Sequence, residues 1–208
     1  MDYILIGAGG HSKVVIDILK SQNEEVVGIV DDDPKRNSVS NTPILGTTEI
    51  IPDLINSFAN AYYIVCVGDN RTRGDIVKRL EPLDLKYGIA VHPTAILGSN
   101  VVIKAGSVVM PNVVVNVDTF IGEHTILNTA CTIDHECKVG QFVHISPGVN
   151  LAGNVQVGSF SHIGIGASVI QGLTIGSNST IGAGSCVVND IEDNIVAIGC
   201  PAKKIRSK

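Results

Sequence analysis

The chain has 208 residues, of which 17% are charged, 4% aromatic and 22 in number glycine, with a formal net charge of −5. This aliphatic, glycine-punctuated composition excludes a disordered chain, and the acidic balance leaves no electrostatic footprint for nucleic acid. No stretch approaches the ~20 apolar residues that span a bilayer, and the opening MDYILIGAGGHSKVV lacks the basic start and long apolar run of a signal peptide.

The five cysteines, Cys66, Cys131, Cys137, Cys186 and Cys200, form no C-x-x-C pair. They read as reduced, small core residues of a cytoplasmic protein with no metal site. The basic tail PAKKIRSK reads as a solvated terminus.

In chain order, YILIGAG is a buried strand ending in a glycine turn, and HSKVVIDILKSQ has helical spacing with Val14, Val15, Ile18 and Leu19 on one side. EVVGIVDDD is a second strand, TEIIPDLINSFA a helix with Pro52 near its start, YYIVCVGDN a third strand, TRGDIVKRLEP a helix and YGIAVHP a last short strand. The alternation predicts a small parallel α/β sheet, whose ligands sit at the carboxyl ends of the strands.

From Leu97 the period changes. Every sixth residue is aliphatic, through Ile103, Val109, Val115, Ile121 and Leu127 and on without a slip to Val187. The position four later holds small or β-branched residues such as Ser107, Thr125, Cys131, Cys137 and Ser161. A hexad repeat predicts a parallel β-helix. Each hexad makes one short strand and a tight corner, and three hexads close a coil. Residues 18 apart therefore stack at about 4.8 Å.

Within this run CTIDHECKVGQFVHI carries polar chemistry. His135 lies two positions after the inward Ile133, in the phase that projects outward. An imidazole titrates near neutral pH and suits a general base. Asp134 and Glu136 flank it, and either is placed to fix its tautomer; a solvated surface pair is the plainer reading. Gly153, 18 residues after His135, leaves space and a bare backbone N–H available to an oxyanion. His162 follows His144 by 18, so these two rings should stack. Two imidazoles without a third ligand make a poor metal site.

In the first domain GAGGHS follows a strand and opens a helix. Gly7 and Gly9 fit a dinucleotide fingerprint, but Ser12 stands where its third glycine belongs, and Asp31 ends the next strand. The turn amides suit any phosphate; a tight turn with no ligand stays open.

The repeat resembles the hexapeptide acyltransferases, whose fold is a left-handed β-helix. The runs ILIGAGGHSKVVIDIL, VVGIVDDD, DHECKVGQFVHISPGVNLAGNVQVG and IGCPAKKI resemble, end to end, one subfamily. It contains bacterial nucleotide-sugar N-acetyltransferases acting on 4-amino-6-deoxyhexoses and sialic acid O-acetyltransferase-like proteins. The resemblance implies a Rossmann-like α/β domain over residues 1–92 that holds a nucleotide-sugar. It implies a left-handed parallel β-helix with a short C-terminal tail over residues 93–208 that holds acetyl-CoA. It further implies a homotrimer with acetyl-CoA between neighbouring β-helices.

By the same resemblance His135 is the general base and Glu136 its orienting partner. His144 touches the acetyl carbonyl, and Gly153, Ile165, Ala183 and Pro201 line the pantetheine groove. Gly9, Gly10, His11 and Lys13 lie near the diphosphate, and Asp31 and Asp32 near the nucleoside or sugar. Lys203, Lys204 and Arg206 meet the CoA phosphates or form an ordinary basic terminus. The implied reaction is direct acetyl transfer from acetyl-CoA to the amine of a nucleotide-linked 4-amino-6-deoxy sugar, without a cysteine carrier or metal. The rivals are O-acetylation of sialic acid or another sugar hydroxyl, and a non-catalytic acetyl-CoA-binding scaffold.

Overall fold

A computed structural model describes residues 1–33 and 37–208. The N-terminal region is a five-stranded sheet of β1 (Asp2–Ile6), β2 (Glu25–Val30), β3 (Ser38–Val39), β4 (Thr42–Gly46) and β5 (Tyr62–Val65), in the order β3-β4-β2-β1-β5. All neighbours are parallel except β3, which forms a hairpin with β4. The β3–β4 hairpin had no counterpart in the sequence reading. Helices α1 (Gly10–Ser21), α2 (Ile51–Ser57) and α3 (Asn70–Leu80) complete the unit.

Strand alternation divides the packing. Ile4 and Ile6 join Ile51, Leu54 and Leu80 on the α2/α3 side. Tyr3 and Leu5 face the other way, in one core with Val15, Ile18 and Leu19 of α1 and with Val108 and Ile126 of the following domain. The two domains therefore share a core through α1.

The second domain is a solenoid of two-residue parallel strands in three sheets of six, five and eight strands. Face 1 runs from Ile96–Leu97 through Val114–Val115, Thr132–Ile133, Asn150–Leu151 and Ser168–Val169 to Cys186–Val187. Face 2 includes Val102–Ile103, Phe120–Ile121, Lys138–Val139 and Gln156–Val157. Face 3 includes Val108–Val109, Ile126–Leu127, His144–Ile145 and His162–Ile163, and ends in an antiparallel pair, Ile195–Ile198 with Lys203–Ser207. Registers advance by 18 residues, as in Thr132↔Asn150 and His144↔His162.

The hexad aliphatics from Val109 to Val187 are buried, whereas Leu97, in the uncapped first coil, is 41% exposed. The segment YGIAVHP does not end the α/β sheet as a strand. Tyr87 makes a single bridge to Tyr63, and Ala90–Val91 pairs with Val108–Val109 to open face 3.

The small residues four after each aliphatic have a physical role. Their hydroxyls line the inner corners and bond carbonyls of the next coil: Ser107 Oγ donates to Gly122 O at 2.9 Å, Thr125 Oγ1 to Gly140 O at 2.8 Å and Ser161 Oγ to Gly176 O at 2.6 Å. The same oxygens accept from backbone N–H groups 18 residues on, as Ser107 Oγ does from Thr125 N. Burial of these polar groups is thereby compensated within the wall.

One corner, between faces 2 and 3, carries the docking of the α/β domain. Its left-handed positions hold His124, Phe142 and Phe160, with φ of 52°, 56° and 62°. Bulky residues reach that region at a cost of about 1 kcal/mol or more. Their rings stack at centroid distances of 5.1 and 4.8 Å, and Tyr87 meets His124 edge-on; such pairs return about 0.5–1.5 kcal/mol each.

Above the stack α3 inserts Arg73, 1% exposed. Its guanidinium donates to the carbonyls of His124 (2.8 Å) and Phe142 (3.0 Å) on the solenoid, to those of Val67 and Gly68 in its own domain, and to Asn70 Oδ1. Asn70 Nδ2 in turn donates to the Phe160 and Ser161 carbonyls. This cluster satisfies corner carbonyls that the domain contact would otherwise strip of water.

Arg73→Met is expected to lower stability by about 3 kcal/mol, because it strands several buried carbonyls at once. A urea denaturation series measures it, and a midpoint equal to that of the unaltered protein contradicts the docking role.

Candidate active site

The corner between faces 1 and 2 presents Asp134, His135 and Glu136. His135 Nδ1 lies 3.0 Å from Glu136 Oε2, with both side chains more than half exposed. Asp134 is not the ring's partner. Its Oδ1 accepts from the His135 backbone N–H at 2.8 Å and from Asn116 Nδ2 at 2.8 Å, and so fixes the corner's backbone. When Glu136 accepts Nδ1–H, the other ring nitrogen, Nε2, carries the free lone pair.

That nitrogen faces Gly153 one coil on. A Cβ at Gly153 would stand 2.6 Å from both His135 Cε1 and Nε2. The glycine is therefore what allows the ring to lie flat over the corner. The Gly153 N–H has no hydrogen-bond acceptor among the described residues. Asp118 and Asn154 stand in register with Glu136 and share its left-handed backbone, with φ of 59°, 57° and 60°.

His144 is elsewhere. It lies on face 3, and in a three-sided prism face 3 is opposite the corner that carries His135. Its ring packs against His162 at a centroid distance of 4.8 Å but tilted by 39° and not stacked, and its Nε2 is 3.0 Å from Asn128 Nδ2. His162 Nε2 is 3.0 Å from Ser146 Oγ. Burial, then His162, Arg73 and His11, push the His144 imidazole down to about 3. Burial and Arg73 hold His11 at about 4. His11 Nε2 and His144 Nδ1 are both buried without a partner. Two neutral imidazoles with spare nitrogens thus lie where the end of β1 meets face 3.

The other residues expected in the coenzyme groove form a third location. Ile165, Ala183 and Pro201, 18 apart, lie on the corner between faces 3 and 1, all exposed. Lys203, Lys204 and Arg206 are exposed on the last strand nearby. Within one chain, the residues expected to form a single acetyl-transfer site are thus spread over two corners and the face opposite the first.

At the N-terminal turn, Gly7 has φ 105° and needs glycine. Gly9 and Gly10 have ordinary φ and open space where a Cβ would stand, so neither strain nor crowding accounts for them. They leave the start of α1 bare. Ser12, in place of a third fingerprint glycine, is buried and donates to the Gly9 carbonyl at 2.7 Å. Asp31 Oδ2 accepts from Ala8 N–H and Oδ1 from Asp33 N–H, tying the turn to the end of β2. Asp32 is engaged by Thr48 and by Arg79 at 2.7 Å. Lys13 is exposed on α1.

Sequence reasoning missed Arg73 and Asn70, which look like the solvated face of a helix. His124 is a packing residue, 4% exposed between Tyr87 and Phe142. His92 closes a turn by accepting from Thr94 N–H. No group of three or more His, Cys, Asp or Glu side chains among the described residues is arranged to hold a metal, and none of the described helices is long and apolar enough to cross a membrane.

Burial also pushes His124 down to about 4, with Arg73 acting in the same sense. Relative to an ordinary value of 6.5, the native pKa values of His11, His124 and His144 are all depressed. As pH falls through 6.5 the unfolded chain binds protons that the folded chain refuses. Stability is therefore whole above about pH 7 and falls between about pH 6.5 and 4, by up to about 1.4 kcal/mol per pH unit for each histidine. Urea midpoints are expected to drop between about pH 7.5 and about pH 5; a flat profile contradicts neutral burial.

Comparison with known proteins agrees with this architecture. Residues 2–80 match the family described as the PglD N-terminal domain. A histidine-to-asparagine variant of perosamine N-acetyltransferase from Caulobacter crescentus, solved with CoA and GDP-perosamine, is 37% identical and superimposes with a TM-score of 0.94 over 100% of this chain and 98% of that one. The acetyltransferase domain of PglB from Neisseria gonorrhoeae is 39% identical, with a TM-score of 0.90 over 98% of this chain and 99% of that one. A UDP-N-acetylbacillosamine N-acetyltransferase of Bacillus subtilis is 32% identical over 104 residues, 50% of this chain and 48% of the relative. The chain thus spans about half the length of the curated relative it matches. An exposed histidine–glutamate pair on a hexad solenoid behind an α/β domain, and the structural matches over 98–100% of the chain, place it in the nucleotide-sugar N-acetyltransferase and sialic acid O-acetyltransferase-like subfamily of left-handed β-helix, acetyl-CoA-dependent acetyltransferases.

Proposed function

We propose that this protein transfers the acetyl group of acetyl-CoA to the amine of a nucleotide-linked 4-amino-6-deoxy sugar. The observation that carries the reading is the His135–Glu136 pair, with Nδ1 engaged at 3.0 Å and Nε2 directed over Gly153. The relatives named for amino-sugar N-acetylation, one of them solved with GDP-perosamine, favour an amine over a hydroxyl acceptor.

In this mechanism His135 Nε2 takes a proton from the sugar amine, whose nitrogen attacks the thioester carbonyl carbon. Glu136 stabilises the imidazolium that forms. The tetrahedral oxyanion meets a preorganised main-chain N–H, for which Gly153 is placed. The C–S bond then breaks, and the imidazolium returns its proton to the departing CoA thiolate. Gly9, Gly10, His11 and Lys13 would receive the diphosphate. His11, held neutral, serves there as a hydrogen-bonding group and not as a cation. Asp31 and Asp32 would border the nucleoside, though Asp32 is already bonded to Thr48 and Arg79.

The distribution of these residues supports a shared site. His135 lies on the corner opposite His144, so one chain does not bring them together. A second copy that sets its face 3 and its Ile165–Ala183–Pro201 corner against this chain's His135 corner completes the constellation. A closed ring of three such contacts, a homotrimer, repeats it without leaving an open end. Free cysteines in every described position suit a cytoplasmic enzyme.

A thiol-release assay with acetyl-CoA and UDP-, dTDP- and GDP-linked 4-amino sugars tests the activity. His135→Ala is expected to reduce turnover at least about a hundredfold, and Gly153→Ala, which displaces the ring, at least about tenfold. Release with hydroxy-sugar acceptors alone contradicts N-acetylation. Assemblies mixed at random from His135→Ala and His144→Ala chains are expected to regain about one quarter of wild-type activity, since one contact in four then joins two intact halves. No recovery contradicts the shared site.

A further inference from the structure

The last turn of the solenoid brings two cysteines face to face. Cys186 stands on the final strand of face 1, Cys186–Val187. Its N–H donates to the Gly199 carbonyl at 3.0 Å, and its carbonyl accepts from Ala202 N–H at 2.7 Å. These two bonds bracket Cys200 and Pro201 in the turn between the last two strands, which brings Cys200 beside Cys186. A disulfide accepts a Cα separation of about 4.4–6.8 Å.

The Cys200 thiol is a near neighbour of the Cys186 thiol. Cys200 is exposed and Cys186 half-buried, whereas Cys66, Cys131 and Cys137 are buried. Burial pushes the Cys131 thiol up to about 12, which leaves it inert. Cys200, the more exposed of the pair, is the first to meet a disulfide in solution.

We propose that Cys186 and Cys200 form a reversible dithiol–disulfide site that reacts with small-molecule disulfides. The Cys200 thiolate attacks one sulfur of R–S–S–R and expels RS⁻, leaving a mixed disulfide on Cys200. The Cys186 thiolate then attacks the Cys200 sulfur and expels the second RS⁻. Two electrons pass from the protein to the small disulfide, and the two thiol protons go to the two departing thiolates. The product ties the Gly199–Ala202 turn, and with it the last strand Lys203–Ser207, to the wall of the last coil. This inference does not depend on the acetyl-transfer reading.

Native protein treated with glutathione disulfide tests it by intact mass and by non-reducing Asp-N peptide mapping with fragmentation; Asp190 and Asp193 separate the two cysteines, and fragmentation distinguishes Cys186 from Cys137 on the same peptide. The expected result is a mass loss of two hydrogens, with the Cys186 and Cys200 peptides joined until dithiothreitol is added. Cys186→Ser should instead keep one glutathione on Cys200, and Cys200→Ser should give neither adduct nor link. A wild-type chain that stays reduced, keeps stable glutathione adducts or links other cysteines overturns the proposal.

Discussion

Each side of the solenoid consumes six residues and each coil eighteen, and everything outside the wall inherits its position from that rule. The aliphatic of each hexad fills the interior, so the residues between it and the next are committed to one corner. A side chain's number then decides which corner it occupies and which residue lies above it. His135 stands over Gly153, His144 over His162 and Ile165 over Ala183 for this reason alone. The same rule holds His135 and His144 on opposite sides of one chain, and the proposed chemistry consequently calls for two.

A second constraint places the α/β domain. Three carbonyls of one corner, those of His124, Phe142 and Phe160, are taken by Arg73 and Asn70 of α3. The aromatic stack beneath gives α3 a flat, apolar seat. Together with α1 on face 3, this fixes the end of β1 over His144. The histidines sealed there are neutral because charging them means charging groups without water, beside an arginine that is itself buried. A neutral His11 beside a neutral His144 gives this junction hydrogen-bonding capacity without fixed positive charge.

The solenoid was legible in the sequence because its period is rigid. An aliphatic every sixth residue has no competing explanation, and the outward phase of His135 follows directly. Val91 lies in the same phase as Leu97, so the earlier start of the solenoid was also readable; the short run YGIAVHP reads as a last strand of the α/β domain because it follows that domain's last helix. The docking cluster was not legible. An arginine on a helix reads as solvated unless the surface that buries it is known, and that surface is made of corner carbonyls more than fifty residues away. The partner of His135 was half legible: adjacency offered Asp134 and Glu136 equally, and only the backbone turn assigns the first to the main chain and the second to the ring. The hairpin β3–β4 was missed because its two short strands have no hydrophobic alternation to announce them.

The most direct test is a crystal structure with coenzyme A and a nucleotide-linked 4-amino sugar bound together. The account predicts the coenzyme in a seam between two chains. It would run past Ile165, Ala183 and Pro201 of one, with the sugar amine about 2.6–3.2 Å from His135 Nε2 of the other. A coenzyme held wholly by one chain, or an amine remote from His135, contradicts it.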